Sequence, residues 1–508
     1  MKHEGLVINT IVSTFGSVST RFVGMFLMIY ISNKIGAEGI GIYQLAMTVY
    51  MMAYMIASAG IITSISKLVA EEISRGWVKR AKRVMHIFFV MGILMSLAMY
   101  LGVFLSAELI SEILIKDMRI VKGLKILSLS IPFMTISACY KGYFYATKDI
   151  AKPASSEVFE QIIKLALTVL FLNYFGTDDL EIACVAMSLA ITVGEMLSFL
   201  YLAILYMTSP LQTRSRVTEQ PEGRLLRKIA AVLLPITASS YLTAVFVLLE
   251  NTLIPTGLRK FGLSDIDSVS IYGMMKGMVL PLMFFPTALL SACSTILTPE
   301  IARAQSLRYK GRVESLASRM IHITLLLAFF ITTIFYLYGK ELGIVLYSDV
   351  KVGLFLQIVV VMSPFIYLEI VIDGILKGMG QQKKCLQYRI IDAVLRIILM
   401  YVLIPKYGIY GFIATLIFTN VVSGFLHINR LLKITHMKIE FTKWILHPII
   451  IAVAAGLITR TFIMDGVLRQ FDMGVKLWSS IAIATVFYLL TLIFAQNITK
   501  EELSLQKQ

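Results

Sequence analysis

Residues 142–167, GYFYATKDIAKPASSEVFEQIIKLAL, have a second copy in the same chain. Aligned without a gap, they lie on residues 374–399, GILKGMGQQKKCLQYRIIDAVLRIIL. The same register carries Ile-Pro-Phe at 131–133 onto Ser-Pro-Phe at 363–365. A register that persists over this length predicts that the chain is an internal duplication.

Both copies carry an acid and a base four residues apart inside an apolar run. The register places Glu160 on Asp392 and Lys164 on Arg396. Side chains at this spacing lie on one face of a helix. On a soluble helix they would form a surface ion pair of little energetic value. Their meaning therefore depends on the solvent that the helix faces.

Composition identifies that solvent as lipid. The 508 residues are 57% hydrophobic and 15% charged, with a mean hydropathy of +0.80. Soluble domains are roughly 45–50% apolar and about 25% charged. A helix needs roughly 20 apolar residues to cross the hydrocarbon core, and runs of that length recur along nearly the whole chain. The sequence predicts an all-α polytopic membrane protein.

About fourteen transmembrane helices are predicted from these runs. They lie near residues 5–31, 42–66, 84–106, 123–146, 154–175, 181–207, 229–254, 270–298, 317–338, 353–376, 386–405, 410–432, 444–464 and 476–496. The longest polar connection, 208–228, is predicted to be a cytoplasmic linker between two six-helix lobes, 1–207 and 229–432. Residues 433–508 are predicted to add two transmembrane helices and a short cytoplasmic tail.

The lobes are predicted to be parallel repeats. An even number of helices in each lobe gives both the same orientation, so a pseudo-two-fold axis along the membrane normal relates them. Transporters built in this way bind substrate between the repeats and work by alternating access. We therefore expect a substrate cavity between the two lobes.

Basic residues concentrate on one predicted side of the membrane. With a cytoplasmic N-terminus, the connections 70–83 and 299–319 are also inside, and both are rich in Lys and Arg. The opposite connections carry single charges or are acidic, as at 178–181. The positive-inside rule predicts that both termini are cytoplasmic. The net charge of +16 then reflects orientation, and no nucleic-acid partner is predicted.

Ionisable side chains inside the predicted spans form the candidate site. A charge at the centre of a span costs roughly 2.5–3.5 kcal/mol and normally faces the bundle interior or a water-filled cavity. The bases predicted to bind an anionic substrate are Arg21, Lys164, Lys276 and Arg396. The acids predicted to pair with these bases in the empty state, or to bind a coupling ion, are Glu160, Glu250, Asp373 and Asp392. For the two pairs at four-residue spacing, the alternative is that acid and base only neutralise each other as packing contacts.

Arg21 stands apart from these pairs. The surrounding sequence, STRFVG, offers no acid within one helical turn. Its guanidinium must therefore find a partner on another helix or on an anionic substrate.

No enzymatic activity, cofactor or metal site is expected. The chain contains neither a phosphate-binding GxxxxGK[ST] loop nor an HExxH zinc motif. The four cysteines lie within or at the edges of apolar runs and form no CxxC pair. Transport would be driven by an ion gradient, the membrane potential or the flux of substrate.

Several segments of the chain resemble the stage V sporulation protein B group. That group belongs to the polysaccharide exporters of the multidrug/oligosaccharidyl-lipid/polysaccharide flippase superfamily. The segments are TRFVG at 20–24, IGAEGIGIYQLA at 35–46, AGIITSISKLVAEEISRG at 59–76, GYFYATKDIAKPASSEVFEQIIKL at 142–165, LLPITASSYL at 233–242 and MVLPLMFFPTALLSACSTILTPEIA at 278–302. The resemblance covers the first twelve predicted helices.

The resemblance implies a fold like that of the multidrug exporters called MATE and a place in the bacterial cell membrane. It further implies flipping of a lipid-linked oligosaccharide or peptidoglycan precursor, of undecaprenyl diphosphate type, in spore cortex or cell-wall formation. The lipid II flippase of the superfamily carries a cavity arginine in a Ser-Arg-x-x-Gly setting on its first helix. Residues 20–24 match that setting, so the resemblance assigns this role to Arg21. A second arginine of that flippase has no counterpart in the apolar segment 26–29.

A different cargo is the alternative. The same superfamily includes multidrug and cation exporters coupled to protons or sodium. Glu250 and Asp373 lie in predicted spans where the chain resembles such exporters in keeping acids. A fourteen-helix chain with a partly basic set of membrane charges favours the anionic, lipid-linked cargo.

Overall fold

The architecture is that of a computed structural model. It describes residues 2–177, 179–209, 223–435, 437 and 440–494, which form helices joined by short connections and contain no β-strand. Backbone contacts divide the chain into two compact units, residues 1–259 with 263–273 and residues 260–262 with 274–508. The predicted all-α class is confirmed.

The first unit contains, in its described part, nine α-helices. They are α1 (Lys2–Ala57), α2 (Ile61–Ser74), α3 (Val78–Leu109), α4 (Val121–Ser128), α5 (Ile131–Ala146), α6 (Ala151–Phe175), α7 (Leu180–Met207), α8 (Gly223–Phe261) and α9 (Asp265–Gly273). A π-helical segment, Ile110–Ile115, and a 3-10 turn, Met118–Ile120, connect α3 to α4. Buried side chains of α2, α3, α5, α7 and α8 form one hydrophobic core.

The second unit continues the numbering with ten α-helices in its described part. They are α10 (Leu280–Phe284), α11 (Thr287–Ser306), α12 (Lys310–Leu337), α13 (Gly339–Tyr347), α14 (Val350–Val359), α15 (Ser363–Gly378), α16 (Gln382–Tyr407), α17 (Ile409–Thr435), α18 (His447–Ile458) and α19 (Met473–Phe494). Shorter segments of π or 3-10 geometry are Met274–Val279, Val360–Met362, Thr442–Leu446 and Thr459–Val467. The last two α-helices pack on α12, where the Tyr488 hydroxyl donates to the Leu326 carbonyl at 2.9 Å.

Ten helices of the described chain are long and apolar enough to cross a membrane, or up to twelve if each of two bent helix pairs is one span. One of the ten, Thr14–Ser74, includes the second predicted span and most of the first. The helix of another predicted span, α16 over 386–405, is not among the ten. Its apolar part carries three charged residues, Arg389, Asp392 and Arg396. The polytopic class is therefore confirmed, and the number fourteen stays a prediction.

Glycines interrupt the first of these long segments. Gly36, inside α1, has φ 68° and ψ −173°, a conformation that only glycine adopts without strain. Gly60, with φ 72°, separates α1 from α2. The predicted span 42–66 is therefore two helices, because the chain must leave helical geometry at residues 58–60.

The predicted seam at 208–228 does not coincide with the division into compact units. The helix that follows it, α8, packs within the first unit. Lys228 Nζ lies 2.9 Å from Glu72 Oε1 on α2, and Thr237 Oγ1 donates to the Ala59 carbonyl at 3.4 Å. Residues 210–222 of the seam lie outside the described residues, and the predicted lobe boundaries stay a prediction.

Candidate functional site

Three charged side chains meet at the contact of α6 with α7. Lys164 Nζ lies 2.7 Å from Glu160 Oε1 on the same helix and 2.5 Å from Glu195 Oε1 on α7. The Ser198 hydroxyl donates to the second oxygen of Glu160 at 3.2 Å. The exposed fraction of the side chain is only 11% for Lys164, 13% for Glu160 and 3% for Glu195. The predicted pair is thus the centre of a buried cluster, the α6–α7 cluster, with two acids for one base.

A glycine on α7 lets this lysine reach its partners. A Cβ atom at Gly194 would lie 2.7 Å from Lys164 Cγ, closer than two carbon atoms can approach. The lysine stem therefore passes across the backbone of α7 at the residue before Glu195. This close approach of the two helices depends on the missing side chain.

Gly194→Ala is expected to lower the free energy of unfolding by about 1–3 kcal/mol, because the added methyl group forces Lys164 away from Glu195 or the helices apart. Unfolding of the purified protein in mixed detergent micelles measures this. The matched control is Gly102→Ala on α3, where an added Cβ meets no atom within 4 Å. The control is expected to be neutral or slightly stabilising. Equal effects of the two substitutions would contradict the packing role of Gly194.

A second ion pair lies one helical turn before the α6–α7 cluster. Lys141 Nζ on α5 lies 3.2 Å from Glu157 Oε1 on α6. Glu157 and Glu160 are three residues apart and share a face of α6. Two bases and three acids are thus held by α5, α6 and α7 inside spans that are otherwise largely apolar.

The second unit contains a corresponding arrangement. Arg396 donates to Asp392 at 2.8 Å within α16, and both side chains are 20% exposed. Asp373 on α15 accepts from Arg389 on α16 at 2.8 Å and from Lys377 at 2.6 Å. The predicted acids Asp373 and Asp392 are therefore both paired with bases, as the first-half acid Glu160 is.

The internal register relates these ion pairs to one another. It places Lys141 on Asp373 and Glu157 on Arg389, so an interhelical ion pair recurs with its charges exchanged. The pairs at four-residue spacing recur with their charges in the same order. The charged pairs therefore stand at matching positions in the two copies, and only the interhelical pair has its signs exchanged.

Arg21 lies on the part of α1 that packs beside α6. Gly16 faces Ala154 and Gly24 faces Gln161, so Arg21, between these two glycines, lies near the first turns of α6. Its side chain is exposed on the surface of the helix. Arg21 is thus exposed within a candidate span, and its role in binding an anionic substrate stays a prediction.

Two further predicted residues lie apart in the sequence from these pairs. Glu250 is half-buried in α8, and Lys276 is half-buried in the π-helical segment Met274–Val279. Their roles stay predictions. The sequence places Glu195 among the ionisable side chains of the predicted spans, but it does not indicate the partner, because no base lies within one helical turn of it.

Comparison with known proteins identifies the family. Residues 6–258 match the polysaccharide biosynthesis protein family. The chain is 23% identical over 515 aligned residues to stage V sporulation protein B of Bacillus subtilis (strain 168), covering 99% of this chain and 98% of that protein.

Solved structures share the fold. The lipid II flippase MurJ in an inward closed conformation aligns with a TM-score of 0.71 at 14% identity, covering 97% of this chain and 99% of the flippase. An inward-facing multidrug resistance MATE transporter aligns with a TM-score of 0.67 at 15% identity, covering 84% and 98% of the two chains. The match of residues 6–258 and the similarity to stage V sporulation protein B over both chains show that this chain belongs to the polysaccharide biosynthesis protein family, within the superfamily of multidrug, oligosaccharidyl-lipid and polysaccharide flippases.

Proposed function

We propose that this protein flips a lipid-linked oligosaccharide or peptidoglycan precursor across the bacterial cell membrane by alternating access, for spore cortex or cell-wall formation. The observation that carries the proposal is the match, over nearly the full length of both chains, to stage V sporulation protein B. The family of polysaccharide biosynthesis proteins, which matches the first half, supports the same class of cargo. In this proposal both termini are cytoplasmic, and the protein is a transporter rather than an enzyme.

The charged clusters suit a cargo that carries a diphosphate. Two paired bases, Lys164 and Arg396, are each held by an acid on their own helix. An ion pair inside a membrane protein offsets the cost of burying either charge alone. We propose that Glu160 and Asp392 hold these bases in the empty state and release them to the phosphate oxygens of the cargo. Arg21, which is exposed, provides the first contact with the anion.

The remaining predicted residues complete the proposal. Lys276 would contribute a further positive charge, and Glu250 and Asp373 would serve a coupling ion, proton or sodium. Moving an anionic headgroup through the membrane interior requires that its charge stay compensated at each stage. The polyprenyl chain of undecaprenyl diphosphate stays in lipid, so only the charged headgroup requires compensation by these residues.

The second candidate is a proton- or sodium-coupled exporter of drugs or other cations. The observation that favours it is the excess of acid in the first unit, where Glu157, Glu160 and Glu195 face only Lys141 and Lys164 in the contacts described above. A net negative cluster would attract a cation. The likeness to MATE transporters shows the shared fold and does not by itself select this cargo.

The test is flipping of a fluorescent undecaprenyl-diphosphate-linked saccharide in proteoliposomes. The purified wild-type protein is expected to move the label between leaflets faster than protein-free vesicles do. Vesicles loaded with a fluorescent cationic drug provide the comparison, and they are expected to show no efflux above background. Drug efflux together with no movement of the lipid would overturn the proposal in favour of the exporter.

A further inference from the structure

Three side chains with different ligand atoms converge at the contact of α15, α16 and α17. Asp373 lies on α15, Cys385 in the first turn of α16 and His427 on α17. The carboxylate, thiol and imidazole atoms that could bind a metal all lie within 4.8 Å of one another. Cys385 and His427 are buried, and Asp373 is half-buried. The three residues come from separate parts of the sequence, so only the packing of the helices brings them together.

One ring nitrogen of His427 is buried without a hydrogen-bond partner in the described part of the chain. His427 Nδ1 lies 2.9 Å from the Ser423 carbonyl oxygen, which can only accept. Nδ1 therefore carries a proton, and in the neutral imidazole Nε2 is the nitrogen that can bind a metal. His427 is fully buried, and its Nε2 has no hydrogen-bond partner in the part of the chain that the structure describes. The Tyr388 ring packs edge-on against the imidazole, with 5.3 Å between the two ring centroids, and further fixes the imidazole plane.

The aspartate is oriented in the same manner. Its Oδ2 atom is held by Arg389 at 2.8 Å and by Lys377 at 2.6 Å. Its Oδ1 atom is buried, and the carboxylate accepts a hydrogen bond from the neighbouring Cys385 thiol. Outer partners of this kind fix a ligand's orientation in metal sites. A carboxylate and a thiol are thus in contact beside a buried imidazole nitrogen that has no partner among the described residues.

We propose that Asp373, Cys385 and His427 form a binding site for Zn²⁺. Thiolate, imidazole and carboxylate are the three ligand types that Zn²⁺ takes, at roughly 2.0–2.3 Å, and three protein ligands with a water in the fourth position form an open tetrahedral site. Tetrahedral ligands at these distances lie within 4.8 Å of one another, as the three candidate ligand atoms do here. Mg²⁺ and Ca²⁺, which prefer oxygen ligands only, fit this set poorly.

The first half of the chain provides an internal comparison. In the register of the duplication, the three positions fall on Lys141, Pro153 and Glu195. A lysine and a proline offer no metal ligand at neutral pH. The same helical positions thus hold charged pairs in the first unit and a mixed set of soft and hard ligands in the second. The site is a property of the second unit and does not depend on the cargo proposed above, but bound Zn²⁺ would occupy Asp373, the acid assigned there to a coupling ion.

Titration of the purified, metal-free protein with Zn²⁺ tests the site. We expect one Zn²⁺ per chain and a higher melting temperature with the metal than with a chelator, because the ion joins three helices. Cys385→Ala is expected to weaken binding by at least about 100-fold, more than loss of an outer partner costs. The matched control is Cys293→Ala, a half-buried thiol of the same unit, which should bind like the wild type.

Co²⁺ provides a readout that needs no variant. In the wild type, Co²⁺ bound to the thiolate of Cys385 is expected to give a sulfur-to-metal charge-transfer band in the near ultraviolet, which excess Zn²⁺ abolishes. Absence of this band, or Zn²⁺ binding by Cys385→Ala with wild-type affinity, would overturn the proposal. Flipping activity is not part of either measurement, so failure of the metal site and failure of the flippase proposal are separate results.

Discussion

Arg21→Ala is expected to reduce flipping of an undecaprenyl-diphosphate-linked saccharide by about 10- to 100-fold while the protein still inserts and folds. A hydrogen bond to a charged group contributes about 1.5–3 kcal/mol, and the substitution removes such bonds to the diphosphate. The side chain is exposed on α1, so its loss is expected to leave little packing defect. The rate is measured in proteoliposomes, with protein amount and orientation determined in the same vesicles.

Two further variants separate charge from geometry at this position. Arg21→Lys keeps the charge but loses the planar fork that binds two phosphate oxygens, so an intermediate rate is expected. Arg75 lies just beyond the end of α2, is exposed and pairs with Glu71. The Arg75→Ala variant should flip the lipid at the wild-type rate. A wild-type rate for Arg21→Ala would remove Arg21 from the proposed mechanism.

Lys164→Ala is expected to lower the free energy of unfolding by about 3–5 kcal/mol, the cost of breaking a buried ion pair. The substitution leaves Glu160 and Glu195 buried and close together without a base between them. Unfolding in mixed detergent micelles measures the change. The control is Lys122→Ala, which removes a solvent-exposed pairing with Glu181 and should leave stability unchanged.

The double variant Lys164→Gln/Glu195→Gln distinguishes packing from transport. The two amides can hydrogen-bond to each other and to Glu160, so most of the lost stability is expected to return. Flipping is expected to stay low, because the base that would meet the cargo is absent. A stable double variant with wild-type flipping would show that the α6–α7 cluster is a packing contact only, which is the alternative left open for these charges.

The membrane class and the local ion pairs followed from the sequence. The repeated register and the apolar composition predicted a helical membrane protein, and α6 and α16 are helices over the predicted pairs. The spacing of Glu160 and Lys164 was sufficient to predict their ion pair, because a helix places residues four apart on one face whatever surrounds it. The same is true of Asp392 and Arg396.

Contacts between helices were not predictable in this way. Glu195 joins Lys164, and Cys385 and His427 approach Asp373, only through the rotation and depth at which each helix packs against its neighbours. The duplication aligned Glu195 with His427 but could not indicate what either touches. Gly194 permits one of these approaches, and no pattern in the sequence marks it as different from other glycines.

The sequence by itself determined the solvent, the helices, the duplication and the two ion pairs at four-residue spacing. The tertiary structure decided which further side chains join them, where the helices bend, and that a thiol, an imidazole and a carboxylate meet in the second unit. The physical reason is the separation along the chain over which each effect acts. Helix geometry and burial in lipid act through neighbouring residues and average composition, whereas a site built from several helices depends on side-chain packing between segments far apart in the chain.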